Sequence, residues 1–278
     1  MNLKDKIAGS IISFLAAFFL FMILFVCISK GMIMNKGYLL SVLDNTNYYS
    51  EVRDELVLDL KKSAGAAGFQ PSIYDDFLQV EDVKKDAIAY INNSFEQKNV
   101  EINEEGFKEK LSTHLHQVIK KDDIAMDKED ENRLDSYIQI NANGYKRYVR
   151  FPFIQYIVMG VQMMDRIMPF AITACMILLL LSLFFLWRMK LRRQDLSLYI
   201  SSILGGAGWM CAILPVEILF GGFTHRINLT PKYYYDFFTR YLDGYLWMLI
   251  LVGVFFVIVG IILVLLIYKQ RIKHSSLK

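Results

Sequence analysis

Four long apolar runs constrain this chain more than any other feature of its sequence. They cover residues 7–28, 167–187, 197–220 and 245–267, and each is almost free of charge. A helix needs about 20 apolar residues to cross a hydrocarbon core of about 30 Å, and it satisfies its own backbone polar groups there. The runs therefore predict an all-α integral membrane protein in which four transmembrane helices form a bundle.

The lysines and arginines beside these runs predict the orientation. The N-terminal tail 1–6, the link 188–196 and the C-terminal tail 268–278 are short and basic, and four spans place all three on one side. Short basic segments favour the cytoplasm. We therefore expect a plasma-membrane protein with both termini cytoplasmic, a large extracellular insert at 29–166 and a shorter outer loop at 221–244.

The first run is expected to stay in the chain as an anchor. It is longer than the 7–15 apolar residues usual in a cleaved secretory signal, and no Ala-x-Ala-like site follows it. Cys27 is preceded by the bulky Val26, where a lipoprotein site needs a small residue.

Composition excludes several classes of protein. Cys27, Cys175 and Cys211 all lie within the predicted spans, so the insert must fold by packing and not by disulfides. No Cys/His spacing suits a metal, and we predict neither a metal nor a cofactor. The insert is net acidic while the basic residues flank the membrane, so the sequence shows no nucleic-acid footprint.

Helical periodicity runs through the insert. Apolar residues recur at three- and four-residue steps around 49–60, 83–95, 103–118 and 127–149, with charged residues between them. Asn103 is a good cap for the third of these helices, and the fourth is expected to begin near Asp127 and to break around 141–144. No alternating pattern long enough for a strand is present. These patterns predict a small helical extracytoplasmic domain inserted between the first and second spans.

Two segments beside the spans have an intermediate character. Residues 151–166 are too apolar for a solvated linker, and they either lie along the bilayer surface or continue as a helix into the second span. Thr230-Pro231 is a strong helix start, so the helix that contains the fourth span is expected to begin there and to protrude outward. The aromatic residues Tyr234, Phe238 and Tyr241 then follow at helical steps. They form either an interfacial anchor or a binding groove, and we treat them as candidate interface residues.

Glu217 is the ionisable residue that falls within a predicted span, in the third run two residues after Pro215. An ionisable group in a span is a candidate functional residue. It lies near the predicted outer end, so its carboxylate could instead reach the headgroups or pair with His225, Arg226 or Arg240. The interfacial role is the expected one.

Small residues indicate how the spans pack. Gly9, Ser13 and Ala17 lie four apart in the first run, Ser197, Ser201 and Gly205 do so in the third, and Gly253 and Gly260 share a face of the fourth. Such spacing lets helix backbones approach closely in lipid. The runs have almost no polar lining, so packing is favoured over a conduit.

Two resemblances bear on function. The residues Tyr48-Tyr49-Ser50-Glu51-Val52, opening a helical domain that leads into the second span, are similar to uncharacterised four-span membrane proteins of Gram-positive (Firmicutes-type) bacteria, which implies no known activity. The segment Leu-Arg-Arg-Gln-Asp-Leu at 191–196, together with the layout of the spans, resembles the FtsX/MacB-type permease components of ABC transporters, which implies a coupling helix and an ATPase partner.

We therefore expect a non-enzymatic protein of the cell envelope whose outer helical domain binds or senses a partner or ligand. None of the common catalytic or phosphate-binding motifs is present in the sequence. The bilayer is one expected partner, and an envelope or membrane protein or a second copy of the chain is another. The alternative is a permease subunit of an ABC-type export or envelope-remodelling complex.

Overall fold

The computed structural model describes residues 3–96, 98, 102, 104–189, 193–226 and 228–275, with the side chains of Lys4, Arg193 and residues 270–275 left out. Within these residues the protein is all-helical and has no strand, which confirms the all-α part of the predicted fold class. The helices are α1 (Leu3–Gly31), α2 (Lys36–Asn45), α3 (Tyr48–Ala64), α4 (Val80–Phe95), α5 (Glu104–Lys121), α6 (Lys128–Val149), α7 (Ile154–Arg188), α8 (Arg193–Phe220) and α9 (Lys232–Ser275).

Four of these helices, α1, α7, α8 and α9, are long and apolar enough to cross a membrane. Their number agrees with the four apolar helices that the sequence predicts. Two of them begin well before their apolar runs. Helix α7 begins at Ile154, so residues 154–166 continue as a helix into the second span, and α9 begins directly after Pro231, as the sequence predicts.

The chain divides into two compact units. The first comprises residues 1–39, 160–229 and 238–278 and contains most of the apolar helices. Its core includes Ala16 and Ala17 of α1, Leu186 of α7 and Ile203 of α8, all of them buried. The alanines matter because they leave room for a neighbouring backbone. A Cβ added to Gly206 of α8 would lie 3.2 Å from that of Ala17.

Helices α8 and α9 meet along a seam of small residues. Ser201 donates a hydrogen bond from its Oγ to the backbone oxygen of Gly260 over 2.6 Å. Further along, a Cβ added to Gly208 would lie 2.5 Å from the oxygen of Gly253, so only glycine fits there. Close backbone approach replaces the hydrophobic drive that lipid does not supply. The predicted packing role of Ser201, Gly253 and Gly260 is confirmed.

The second unit comprises residues 40–159 and 230–237. Its core is formed by one face of each of α3 to α6, as the helical periodicity predicts. Phe107 of α5 stacks on Tyr145 of α6 with ring centroids 4.2 Å apart, and the Tyr145 hydroxyl donates to Asp86 of α4 over 2.6 Å. Stacking and a satisfied hydroxyl let a large polar aromatic side chain be buried at little cost.

Helix α6 begins where the sequence predicts but does not break. The Asp127 carboxylate accepts the backbone N–H groups of Glu129 and Asp130 at 2.8 and 2.9 Å. Both hydrogen bonds lower the pKa of the Asp127 carboxyl, and the bond from Asp130 has the larger effect. The expected break at 141–144 is wrong, because Ala142 and Tyr145 are buried in the core and hold the backbone helical. The predicted cap Asn103 lies outside the described residues.

The sequence analysis also missed a helix. Residues 36–45 form α2, whose Leu39, Val42 and Leu43 are buried. Ten residues are too few for a strong periodic signal. A short 3₁₀ turn over Pro71–Tyr74 buries Tyr74 completely.

Candidate partner-binding groove

The second unit contains a groove of about 940 Å³. One wall is the end of α3 with the turn that follows it, and the other wall is the face of α6 from Glu129 to Asn141. The connection between α5 and α6 closes one end. The apolar side chains that line it are Phe69, Ile119, Ile124, Met126, Leu134 and Ile140. We call this site the α3–α6 groove.

The same helix-ending motif shapes the α3 wall of the groove and its closed end. After α3, Gly68 adopts a left-handed backbone with φ of 81°, and the N–H of Phe69 donates to the oxygen of Ala64 over 3.0 Å. After α5, Asp123 has φ of 50° and the N–H of Ile124 donates to the oxygen of Ile119 over 3.0 Å. This six-to-one bond is typical of a Schellman motif, which reverses the chain sharply. The motifs direct Phe69 and Ile124 to the groove.

A polar floor lies beneath these apolar side chains. The Tyr137 hydroxyl is 3.0 Å from Ser63 Oγ and 2.9 Å from the Tyr74 hydroxyl. Burial and the bond to Tyr137 raise the pKa of Tyr74, so the Tyr74 hydroxyl stays protonated at neutral pH. Because these groups already satisfy one another, an apolar ligand would not leave them without partners.

Charged residues form the rim along α6. Arg133 Nη2 lies 2.6 Å from a Glu129 carboxylate oxygen, and Arg133 Nη1 lies 4.0 Å from a carboxylate oxygen of Asp130. All three side chains are substantially exposed, so these pairs contribute little stability. One cation is shared by two carboxylates, which leaves the rim net negative.

Two exposed isoleucines stand out in the groove. Ile140 is 69% exposed and Ile124 is 47% exposed, although both are fully apolar. Ile140 lies two residues from the buried Ile138, so it falls on a different side of α6 from the core stripe. An apolar residue outside the buried face of a helix was therefore a sequence feature that could have indicated this groove. Apolar side chains grouped in a concave site are typical of a binding surface.

A second, more polar cleft of about 650 Å³ lies beside α5. It is lined by Asp75, Asp76, Lys110 and His114, among others. A ring nitrogen of His114 lies 2.7 Å from the backbone oxygen of Ile73, which gives this histidine a structural role. In the part of the chain that the structure describes, no group of three His, Cys, Asp or Glu side chains is placed to hold a metal.

The three aromatic residues predicted as an interface do not lie in one unit. Tyr234 belongs to the second unit, where its ring packs 5.6 Å from Phe153 and 4.5 Å from Tyr233. Phe238 belongs to the first unit and is half-buried. Tyr241 also belongs to the first unit and is buried.

Tyr241 has a clear structural role. Its ring stacks on that of Tyr38 at 5.0 Å, and its hydroxyl donates to the backbone oxygen of Ile33 over 2.5 Å. Tyr38 returns a hydrogen bond from its own hydroxyl to the backbone oxygen of Tyr241 over 2.8 Å. These reciprocal bonds fasten α9 to the start of α2 and the turn before it.

Glu217 lies near the end of α8 with its side chain exposed. Its carboxylate forms no ion pair with any residue that the structure describes, so the alternative of a pair with His225, Arg226 or Arg240 is not observed. Arg226 instead lies over the ring of Phe223 at 5.0 Å and donates to the backbone oxygen of Gly221 over 3.3 Å.

No known family model matches this chain, and neither the curated proteins nor the solved structures contain one significantly similar to it.

Proposed function

We propose that this chain is a non-enzymatic multi-pass membrane protein of the cell envelope whose helical domain binds a partner protein outside the cell. The observation that carries the proposal is the α3–α6 groove, which is concave, largely apolar and rimmed by charge. Four apolar helices supply the anchor. Catalysis has no support from the groove, whose lining combines apolar and uncharged polar side chains with the carboxylates of Glu129 and Asp130, which lie beside Arg133.

The orientation in this proposal rests on charge. The segments 1–6, 188–196 and 268–278 are basic, while the insert 29–166 is net acidic. Basic flanks favour the cytoplasmic side, so the second unit is assigned to the outside. The permease alternative is less favoured, because α7 ends at Arg188 and α8 begins at Arg193. Too few residues separate them for the coupling helix that the permease resemblance implies.

Thiol labelling tests the orientation. In a chain whose three native cysteines are replaced by alanine, Ser112→Cys is expected to react with a membrane-impermeant maleimide in intact cells, and Gln194→Cys is expected to react only after lysis. Ser112 lies in α5 and Gln194 at the start of α8. Labelling of Gln194→Cys in intact cells, with Ser112→Cys protected, would reverse the orientation and remove the extracellular assignment.

Photocrosslinking tests partner binding by the groove. A benzophenone amino acid at Ile140 is expected to give a discrete crosslinked species with a second protein in intact cells. The same group at Leu58, which is 50% exposed on α3 but does not line the groove, is the matched control. We expect little crosslinking there. Equal crosslinking at both positions, or none at Ile140, would contradict binding by the groove.

A further inference from the structure

We propose that the α3–α6 groove binds a basic amphipathic helix of about three turns contributed by the partner. This inference rests on the proposed function and names the kind of partner segment that the groove fits. Its support comes from the length of the groove, the position of its apolar side chains and the charge of its rim.

The length of the groove matches a short helix. Its α6 wall runs from Glu129 to Asn141. At a rise of 1.5 Å per residue this wall is about 18 Å long, which is the length of a helix of about twelve residues. Helices bound in grooves insert apolar side chains at positions i, i+3 or i+4, and i+7, and three turns supply one such row.

The apolar side chains lie where that row would contact them. Ile124 and Ile140 are exposed at separate positions along the groove, while Phe69 and Leu134 lie deeper. The opposite wall is built from Ala66, Ala67 and Gly68, whose small side chains leave the groove wide. Contact with both isoleucines would remove from water the apolar surface that the free protein exposes.

The charge of the rim selects a basic partner. Glu129 and Asp130 share the cation Arg133, and the segment 120–133, which forms the closed end and the rim, has six carboxylates against four lysines and arginines. Lysines or arginines beside the apolar row of the partner would contact these carboxylates. A second copy of this groove would bring like charges together, and an anionic lipid headgroup would be repelled, so both are disfavoured.

A synthetic peptide provides the direct test. The full chain is placed in phosphatidylcholine nanodiscs with a twelve-residue helical peptide that has leucine at every third or fourth position, lysine elsewhere and one benzophenone. After irradiation, mass spectrometry maps the adducts on the chain. We expect saturable labelling within residues 119–141. A twin peptide with glutamate in place of every lysine is expected to label these residues at least about tenfold less.

A matched pair of charge reversals shows whether the charge of the rim causes the preference for the lysine peptide. Glu129→Lys changes a residue that lines the groove, and Glu131→Lys makes the same change in the same turn of α6 at a residue that does not. We expect Glu129→Lys to weaken labelling by the lysine peptide roughly five- to tenfold and to strengthen labelling by the glutamate peptide. Glu131→Lys is expected to change both by less than about twofold.

Several results would overturn the inference. Equal groove labelling by the two peptides would show that charge does not select the partner. Absence of groove labelling by the lysine peptide, a photoreactive lipid tail mapped to the groove, or adducts between two copies would assign the groove to something else. The orientation and the crosslinking from Ile140 in cells are measured separately, so a lost charge preference with a retained Ile140 crosslink would refute the inference alone.

Discussion

Replacing Gly208 with alanine is expected to destabilise the membrane-embedded fold by about 3 kcal/mol or more. The new Cβ would lie 2.5 Å from the oxygen of Gly253 and 2.9 Å from the nitrogen of Val257. Both atoms belong to the backbone of α9, so no side chain can rotate away. Relief requires that α8 and α9 move apart, which also lengthens the bond from Ser201 to Gly260. Thermal unfolding in detergent measures the loss.

Gly205→Ala is the matched control. It lies three residues earlier on α8, and a Cβ added there has no atom within 4 Å. Alanine has a helix propensity about 1 kcal/mol better than that of glycine, so this variant is expected to be as stable as the parent chain or slightly more so. Equal melting temperatures for the two variants would contradict the close backbone contact at Gly208.

The number of apolar helices and the start of α9 were predictable from the sequence, whereas the start of α7 was left open between two alternatives. An apolar run shows which residues are compatible with a hydrocarbon core. The helix itself can continue beyond that run, because polar residues also form helical backbone hydrogen bonds. Residues 154–166 contain Gln155, Gln162 and Asp165, which end the apolar run without ending α7. Pro231 was the better guide for α9, because proline in the first turn marks where a helix starts, whatever its polarity.

The break in α6 that local residue propensities predict is absent, because tertiary contacts determine the backbone conformation there. The sequence Asn-Ala-Asn-Gly at 141–144 favours a turn, yet α6 passes through it. Asn141 donates from its side-chain amide to the backbone oxygen of Tyr137 over 2.8 Å, within the helix, while Ala142 is buried. Packing of one face can outweigh unfavourable propensities that are each worth less than about 1 kcal/mol.

The groove was beyond sequence analysis because its walls are distant along the chain. Periodicity finds the buried face of each helix but does not show which helix ends converge. The end of α3, the end of α5 and the start of α6 come together only through the core beneath them. Glu217, Tyr234, Phe238 and Tyr241 were chosen by residue type and position relative to the spans, and the structure brings none of them to this groove.

Phe237→Ala is expected to destabilise the second unit by about 3 to 5 kcal/mol. The Phe237 side chain is fully buried, with its ring 5.1 Å from that of Phe151 and 6.5 Å from that of Tyr48. Burial and the neighbouring hydroxyls of Tyr234 and Tyr233 raise the pKa of Tyr48 well above its usual value, so these rings pack as a neutral cluster. Truncation leaves a cavity that rigid aromatic neighbours fill poorly.

Hydrogen exchange in the full-length protein measures this loss where it occurs. Amides of α3 are expected to exchange faster by about two to three and a half orders of magnitude in Phe237→Ala, since each 1.4 kcal/mol changes an opening equilibrium about tenfold. Leu58→Ala truncates a half-exposed side chain on α3 and is expected to change exchange by less than about threefold. If the two variants behaved alike, residues 230–237 would be adjacent to the helical core without stabilising it. The large effect is expected because Phe237 packs against aromatic residues from two other segments of the chain, so that its loss removes contacts which no local change can replace.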